Sequence, residues 1–196
     1  MYKRQTKKIN PHTLLPCGKS GERGQNLVSI SVAKPQGVRE GVGIKRIGLG
    51  GSAANPPHAG HLLLIELLCQ NGRFDEIVWI PSGARHDKRA IIDSCDREKM
   101  IKLLFSKENK KIYGGKTKFT IDYADLHGQN TPTIRWFERA IKDHPRDEVV
   151  WYTGADSVVP QERFGGKIEI EAYWYEGERL FRDFPFLIVP RPGYPH

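Results

Sequence analysis

Short apolar runs alternate with longer amphipathic runs along the chain from residue 44 onward. Short runs bounded by glycine, proline or charged residues predict β-strands, whereas apolar residues spaced three and four apart predict helices. Strands are predicted at 44–49, 76–80, 118–121, 149–152 and 186–189. Helices are predicted between them at 60–70, 96–106 and 134–142. This alternation predicts an α/β fold, a doubly wound parallel sheet with helices on both faces.

Individual residues define some of these boundaries. Pro81 is expected to end the second strand, and Ser94 is expected to cap the second helix. In the third helix, Phe137 and Ile141 are four residues apart and are expected to form one apolar side. The first helix is apolar on most of its surface, which indicates burial against the sheet.

The net charge of +8 belongs to the beginning of the chain. The first 46 residues hold ten basic and two acidic side chains, whereas the other 150 residues hold 21 of each. Residues 1–43 are rich in Lys, Gly, Pro and Ser, and we interpret them as a disordered or non-native extension before a domain at 44–196. A nucleic-acid-binding arm is the alternative for this extension, but it lacks interleaved aromatic residues. No nucleic-acid partner is expected for the neutral body.

The three cysteines, Cys17, Cys69 and Cys95, are odd in number and lack the spacing of a metal site. Cys69 lies in an apolar helical run, where a thiol behaves as a small hydrophobic group. No apolar run approaches the roughly 18–20 residues needed to cross a bilayer, and no secretory signal opens the chain. The sequence therefore predicts a cytoplasmic protein without a membrane partner.

Candidate chemistry lies in residues 48–61, between the first predicted strand and the first predicted helix. Glycines allow the backbone to approach a phosphate, and a helix N-terminus adds unpaired N–H groups. His58 and His61 are three residues apart, project to one side of the helix and can donate to phosphate oxygens. A zinc site is the alternative, but no third ligand follows at a suitable spacing. Incidental histidines at a helix start are a further alternative, because a glycine-rich turn alone is weak evidence.

Residues 48–61 are similar to the nucleotidylyltransferase signature G-x-F-G-G-[ST]-F-[DN]-P-x-H-x-G-H. Within that superfamily, the chain resembles the nicotinate/nicotinamide mononucleotide adenylyltransferases. Later landmarks of that family recur in the same order, namely Trp-Ile-Pro-Ser-Gly at 79–83, His-Asp-Lys at 86–88, a counterpart of the family's Ser-Tyr-Thr segment at 131–137, Gly-Ala-Asp-Ser at 154–157 and Val-Pro-Arg-Pro-Gly-Tyr at 189–194.

The resemblance implies a Rossmann-like fold and transfer of the adenylyl group of ATP to nicotinate or nicotinamide mononucleotide, with release of pyrophosphate. It implies catalytic roles for His58, His61 and Lys88. The residues that the resemblance implies for ATP contacts are Leu49, Gly50, Gly51, Ser52, His58, His61, Gly154 and Asp156. Those that it implies for contacts with the mononucleotide are Thr133, Trp136, Phe164 and Arg191. Mg²⁺ is expected with ATP, held mainly by phosphates and water.

Ordinary structural roles are the alternatives for three of these residues. Lys88 could be a solvated surface lysine, Asp156 a helix cap and Trp136 a core residue. A homo-oligomer is left open by the sequence.

The chain departs from the family at several positions. Gly50 and Ala54 stand where the family has Phe, Ser52 stands where it has its second Gly, and Arg135 stands where it has Asp. The family's closing Ile-Ser-[ST]-[ST]-x-[IV]-Arg is not found after Tyr194, so a fragment is expected. A phosphopantetheine or glycerol-phosphate nucleotidyltransferase, a class I aminoacyl-tRNA synthetase and a nucleotide-binding module without catalysis are the alternatives. A nucleic-acid binder led by the basic tail is a further alternative.

Overall fold

The computed structural model describes residues 43–83, 92–107, 109–113 and 115–190. Within these residues the strands form one five-stranded sheet, in the order third, second, first, fourth, fifth. The strands are β1 (Arg46–Ser52), β2 (Glu76–Pro81), β3 (Lys118–Ile121), β4 (Glu148–Gly154) and β5 (Phe186–Val189). Every neighbouring pair is parallel.

Helices cover both faces of this sheet. They are α1 (Ala59–Gln70), α2 (Ser94–Leu104), α3 (Lys110–Tyr113), α4 (Thr133–Asp143), α5 (Glu169–Tyr173) and α6 (Gly177–Asp183). Two 3₁₀ turns follow β4, at Ala155–Ser157 and Glu162–Phe164. In the described parts of the chain, no helix is long and apolar enough to cross a membrane.

Alternate residues of the strands enter two separate cores. In β4, Val150 and Tyr152 face the core under α1 and α2, whereas Val149 and Trp151 face the core under α4, α5 and α6. A strand that is apolar on both faces is the pattern of a buried parallel sheet. The prediction of a doubly wound α/β sheet is therefore confirmed.

The predicted strands at 118–121 and 186–189 match β3 and β5 residue for residue, and the other elements shift by a few residues at their ends. Pro81 is the last residue of β2, so the strand ends at the proline as expected. Proline has no backbone N–H, and the bond to the neighbouring strand β1 comes instead from the N–H of Ser82, which donates to the carbonyl of Ser52 at 2.9 Å.

Two predictions about the helices were wrong. Ser94 does not cap α2, because Asp93 is the N-cap and its Oδ1 accepts from the backbone N–H of Cys95 at 2.8 Å. Phe137 and Ile141 do not form one buried side, because Phe137 is fully buried whereas Ile141 is 45% exposed. The Phe137 ring instead stacks on Phe184, with 4.6 Å between the ring centroids. The periodicity identified the helix but misjudged the width of its buried face.

The chain reverses its direction of travel across the sheet next to β1. It moves from β1 outward to β2 and β3, and then returns to β4 on the other side of β1. Ligands of open parallel sheets bind outside the carboxyl ends of the strands at such a switch point. The turns that leave β1 and β4 meet at this edge, which is where the sequence placed the candidate chemistry.

Candidate functional site

His58 and His61 form a reciprocal cap at the start of α1. The His58 Nδ1 atom accepts from the backbone N–H of Gly60 at 3.1 Å, and the His61 Nδ1 atom accepts from the backbone N–H of His58 at 3.2 Å. The two ring centroids lie 4.0 Å apart. The sequence predicted that both rings project to one side, and the structure confirms it.

The cap also selects the tautomer of a neutral ring at both positions. A nitrogen that accepts a hydrogen bond carries no proton, so a neutral ring that accepts at Nδ1 carries its proton on Nε2. His58 and His61 therefore each present an Nε2–H donor beside the first turn of α1. The sequence motif alone does not reveal which ring nitrogen carries the proton.

The N-terminus of α1 is suited to an anion. Its first turn contains no acidic residue, so the positive end of the helix dipole is not neutralised from within the helix. His58 is exposed, and His61 is half-buried with its ring 5.6 Å from that of Trp79. One ring faces solvent and the other is supported by the core, which fixes the pair without closing the site.

Gly60 leaves room for the His58 ring. A Cβ atom at position 60 would lie 2.9 Å from His58 Cε1 and 3.0 Å from His58 Nδ1. Ordinary contacts between such atoms are about 3.5–4.0 Å. The absence of a side chain at Gly60 is therefore part of the histidine geometry.

Two of the three glycines in β1, Gly50 and Gly51, are explained by packing inside the protein. A Cβ at Gly50 would collide with the ring of Tyr152, and one at Gly51 would lie 2.5 Å from the carbonyl oxygen of Ile80. Tyr152 thus occupies the space of a side chain at position 50, where the related family has Phe. Both glycines keep their predicted role as backbone contacts, but their lack of a side chain is not evidence for a ligand.

Two hydroxyl groups at the carboxyl edge are buried without a hydrogen-bond partner among the described residues. They belong to Ser52, at the end of β1, and Ser82, just after β2. The backbone of Ala54 follows in the left-handed region with φ at 43°. A polar atom buried at a ligand edge is available to a bound molecule or water.

Arg97 joins the turn that follows β1 to the turn that follows β2. Its guanidinium Nη1 donates to the carbonyl of Ala53 at 2.7 Å and to the carbonyl of Ser82 at 2.8 Å, while Nε donates to Ile92 at 3.1 Å. The residue is 1% exposed, and burial lowers the pKa of its guanidinium. No motif in the sequence indicates this contact, because Ala53 lies 44 positions from Arg97.

The end of β4 forms the other side of the switch point. Gly154 is its last residue, and Asp156 lies in the 3₁₀ turn that follows. The backbone carbonyl of Asp156 accepts from Gln161 Nε2 at 2.6 Å, and Thr153 Oγ1 donates to Ser157 Oγ at 3.2 Å. These bonds hold the turn that carries Asp156 at the carboxyl edge.

The predicted mononucleotide residues occupy different environments. Thr133 begins α4 and is half-buried, whereas Trp136 is 6% exposed and belongs to the core under α4. Phe164 lies on the second 3₁₀ turn, with the Arg163 guanidinium 4.4 Å above its ring and the Tyr173 ring 5.5 Å away.

The structure thus brings Leu49, Gly50, Gly51, Ser52, His58, His61, Gly154 and Asp156 to neighbouring strand ends. The predicted roles of all these residues stay predictions. Lys88 and Arg191 lie outside the described residues.

A phosphate-sized anion at the start of α1 would meet two imidazole N–H donors at the positive end of the helix dipole. Together with the open parallel sheet, this defines an α/β protein with a candidate anion site at the switch point of its sheet. A family model described as cytidylyltransferase-like matches residues 49–195. The chain belongs to this cytidylyltransferase-like family.

Individual relatives point to one branch of the family. The chain is 28% identical over 155 residues to the "Probable nicotinate-nucleotide adenylyltransferase" of Carboxydothermus hydrogenoformans, covering 76% of this chain and 66% of that protein. It is 32% identical over 100 residues to the protein of the same name from Methylibium petroleiphilum, covering 47% of each. The chain thus spans less than two thirds of either relative. The resemblance stated from the sequence motifs is confirmed.

A solved structure agrees with the fold. The Plasmodium falciparum nicotinic acid mononucleotide adenylyltransferase complexed with NaAD has a TM-score of 0.58 to this chain, with 18% sequence identity and 77% of each chain covered. At that identity the likeness concerns the architecture of the sheet and its helices alone.

Proposed function

We propose that this protein transfers the adenylyl group of ATP to nicotinate or nicotinamide mononucleotide and releases pyrophosphate. The observation that carries the proposal is the reciprocal cap of His58 and His61, which directs two Nε2–H donors from an acid-free helix N-terminus at the switch point of the sheet. The names of the relatives supply the substrate class.

In the proposed reaction, a phosphate oxygen of the mononucleotide attacks the α-phosphorus of ATP. A new P–O bond forms, the bond from the α-phosphorus to the bridging oxygen breaks, and pyrophosphate leaves with that oxygen. Such transfers depend on positioning and on stabilising charge more than on covalent catalysis. Two imidazole donors and a helix N-terminus offer this stabilisation without any rearrangement of the protein.

His58 and His61 would donate to the phosphate oxygens on which charge develops. Gly51 and Ser52 would add contacts from the end of β1, where the Ser52 hydroxyl is buried and unpartnered among the described residues. Asp156 would accept from a ribose hydroxyl or from adenine. These roles divide ATP between the end of β1 and the end of β4.

The mononucleotide would lie toward the start of α4. Thr133 is accessible there, whereas the buried ring of Trp136 would shape the pocket from beneath. Phe164 offers an aromatic ring beside the turn that follows β4, and Lys88 and Arg191 would bind phosphate. Mg²⁺ would enter as the ATP complex, coordinated by phosphate oxygens and water. We propose a cytoplasmic location and leave the oligomeric state open.

The test is to incubate the 196-residue chain with ATP, Mg²⁺ and either mononucleotide, and to follow pyrophosphate release. The proposal expects release that depends on the mononucleotide. Binding of ATP without release with either mononucleotide would contradict it, and would instead fit a nucleotide-binding module without catalysis.

Variants of His61 separate its chemistry from its structural role. His61→Ala removes both the donor and the cap, whereas His61→Glu provides the side chain that a capping box normally has at this position. We expect both variants to lose turnover and only His61→Ala to lose stability. His144→Ala is the matched control, because His144 is an exposed histidine that pairs with Asp147 at 3.4 Å. Full turnover in either His61 variant would refute the assigned role.

A further inference from the structure

A network of hydrogen bonds around Asp125 connects the ends of β2 and β3 to the start of α4. Resting on the proposed function, we infer that Asp125 is a positioning residue for the mononucleotide, although it touches no reacting atom. Its role is to hold the segment 125–136, which carries Thr133 and Trp136, in the shape that accepts the mononucleotide. No sequence motif indicates this role.

Asp125 is 5% exposed, and both of its carboxylate oxygens accept hydrogen bonds. The Oδ1 atom accepts from the hydroxyl of Thr131 at 2.8 Å. The Oδ2 atom accepts from the backbone N–H of Thr131 at 3.0 Å and from the indole Nε1–H of Trp136 at 3.2 Å. One carboxylate therefore fixes the backbone just before α4 and the orientation of a ring inside its first turn.

The same segment is tied to the end of β2. The backbone N–H of Gly83 donates to the Asn130 side-chain oxygen at 2.6 Å. A Cβ at Gly83 would collide with the carbonyl oxygen of Asp125 and lie 2.7 Å from that of Gly128. The two strand ends are thus packed backbone to backbone. A shift of the segment 125–136 relative to β2 would break these contacts.

A carboxylate suits this place because it accepts hydrogen bonds only. All three groups that face it are donors, and a buried donor that loses its acceptor is costly. Asparagine could still satisfy these groups, because its NH₂ group can donate to the Thr131 hydroxyl, which accepts as well as donates. Alanine cannot: in Asp125→Ala the backbone N–H of Thr131 and the indole N–H of Trp136 both lose their acceptor, and the segment would have to move.

The test compares the dissociation constants of nicotinate mononucleotide and of ATP by calorimetry on the same samples. For Asp125→Ala we expect the constant for the mononucleotide to rise about tenfold or more, as expected when a hydrogen bond to a charged group is lost. The constant for ATP should stay within about twofold, because the hydrogen bonds described for the cap of α1 and for this network share no residue. A merely structural role would lower stability and leave the two constants unchanged in the folded fraction.

Asp122→Ala is the matched control. Asp122 lies three residues earlier, where its Oδ1 accepts from the backbone N–H of Ala124 at 2.9 Å, and its exchange should change neither constant. If Asp125→Ala does not fold, a second pair carries the test. Thr131→Val should weaken mononucleotide binding, and Thr131→Ser, which keeps the hydroxyl, should restore it.

An equal change in both dissociation constants, or no change in either, would overturn the inference. Failure of the unchanged chain to bind the mononucleotide would also overturn it. Because binding requires no turnover, these outcomes are distinct from failure of adenylyl transfer. A chain that binds the mononucleotide through Asp125 but releases no pyrophosphate would support the inference and contradict the proposed activity.

Discussion

Replacing Gly60 with alanine separates the stability of α1 from the placement of the His58 ring. Gly60 lies in the first turn of α1, where alanine is favoured over glycine by about 0.5–1 kcal/mol. The new Cβ, however, would lie 2.9 Å from His58 Cε1 and 3.0 Å from Nδ1. The contacting atoms belong to a side chain that can rotate away, so we expect the ring to move rather than the backbone.

The size of each effect follows from these contacts. Restoring ordinary separations of about 3.5–4.0 Å requires the ring to retreat by roughly 0.5–1 Å. That movement lengthens the 3.1 Å bond from the Gly60 N–H, and a lost N-cap costs about 1 kcal/mol. The gain in helix propensity and the loss of the cap nearly cancel, so the free energy of unfolding should change by less than about 1 kcal/mol. A misplacement of about 1 Å can lower turnover about a hundredfold.

We therefore expect Gly60→Ala to unfold in urea at nearly the same concentration as the unchanged chain while its pyrophosphate release falls about 10–100-fold. The control is a double-mutant cycle with His58→Ala, in which the ring is already absent. In that background, Gly60→Ala should raise stability and leave the residual turnover unchanged. Full turnover of Gly60→Ala would show that the position of the His58 ring does not matter and would refute the reasoning.

Three further predictions concern the support of the site. Arg97→Met should lower the free energy of unfolding by about 2–5 kcal/mol in urea, because the carbonyls of Ala53 and Ser82 lose their charged donor, and Arg97→Lys should recover part of it. Backbone N–H groups lower the pKa of Asp93 below its ordinary 3.8, so its capping contribution is present above that value and lost as the pH falls. Stability should consequently fall more between pH 6 and about pH 3 in the unchanged chain than in Asp93→Asn, and equal losses would contradict this. Burial raises the pKa of the Cys69 thiol to about 11. With the other two cysteines replaced by serine, Cys69 should therefore react with iodoacetamide at pH 8 only when urea unfolds the chain. Rapid labelling without urea would contradict its burial.

Much of the fold follows from local patterns. The strands at 118–121 and 186–189 were predicted residue for residue, because short apolar runs between polar residues leave few alternatives. The short helices α5 and α6 were not predicted. Their five and seven residues offer too few turns for a helical period, and they are stabilised by packing Ile170 and Leu180 into the core.

The candidate site was predictable only where its signal is local. His58, Gly60 and His61 are close in the chain, so their spacing shows that they share one helix turn. Asp125 and Arg97 act through carbonyls and donors that are distant in sequence, such as the Arg97 contact to Ala53 across 44 positions. A single sequence does not reveal such contacts, because an isolated Asp or Arg has the appearance of a turn or surface residue.

The central claim is that the group transferred from ATP is the adenylyl group and that His61 acts in its transfer. The most direct measurement uses ATP labelled at its α-phosphorus or its γ-phosphorus, with nicotinate mononucleotide and Mg²⁺. The account predicts that α-label enters a dinucleotide product and that γ-label appears only in pyrophosphate. It also predicts that His61→Glu remains folded but forms neither the labelled dinucleotide nor labelled pyrophosphate. Transfer of γ-label to the mononucleotide, or retention of all label in bound ATP, would contradict it.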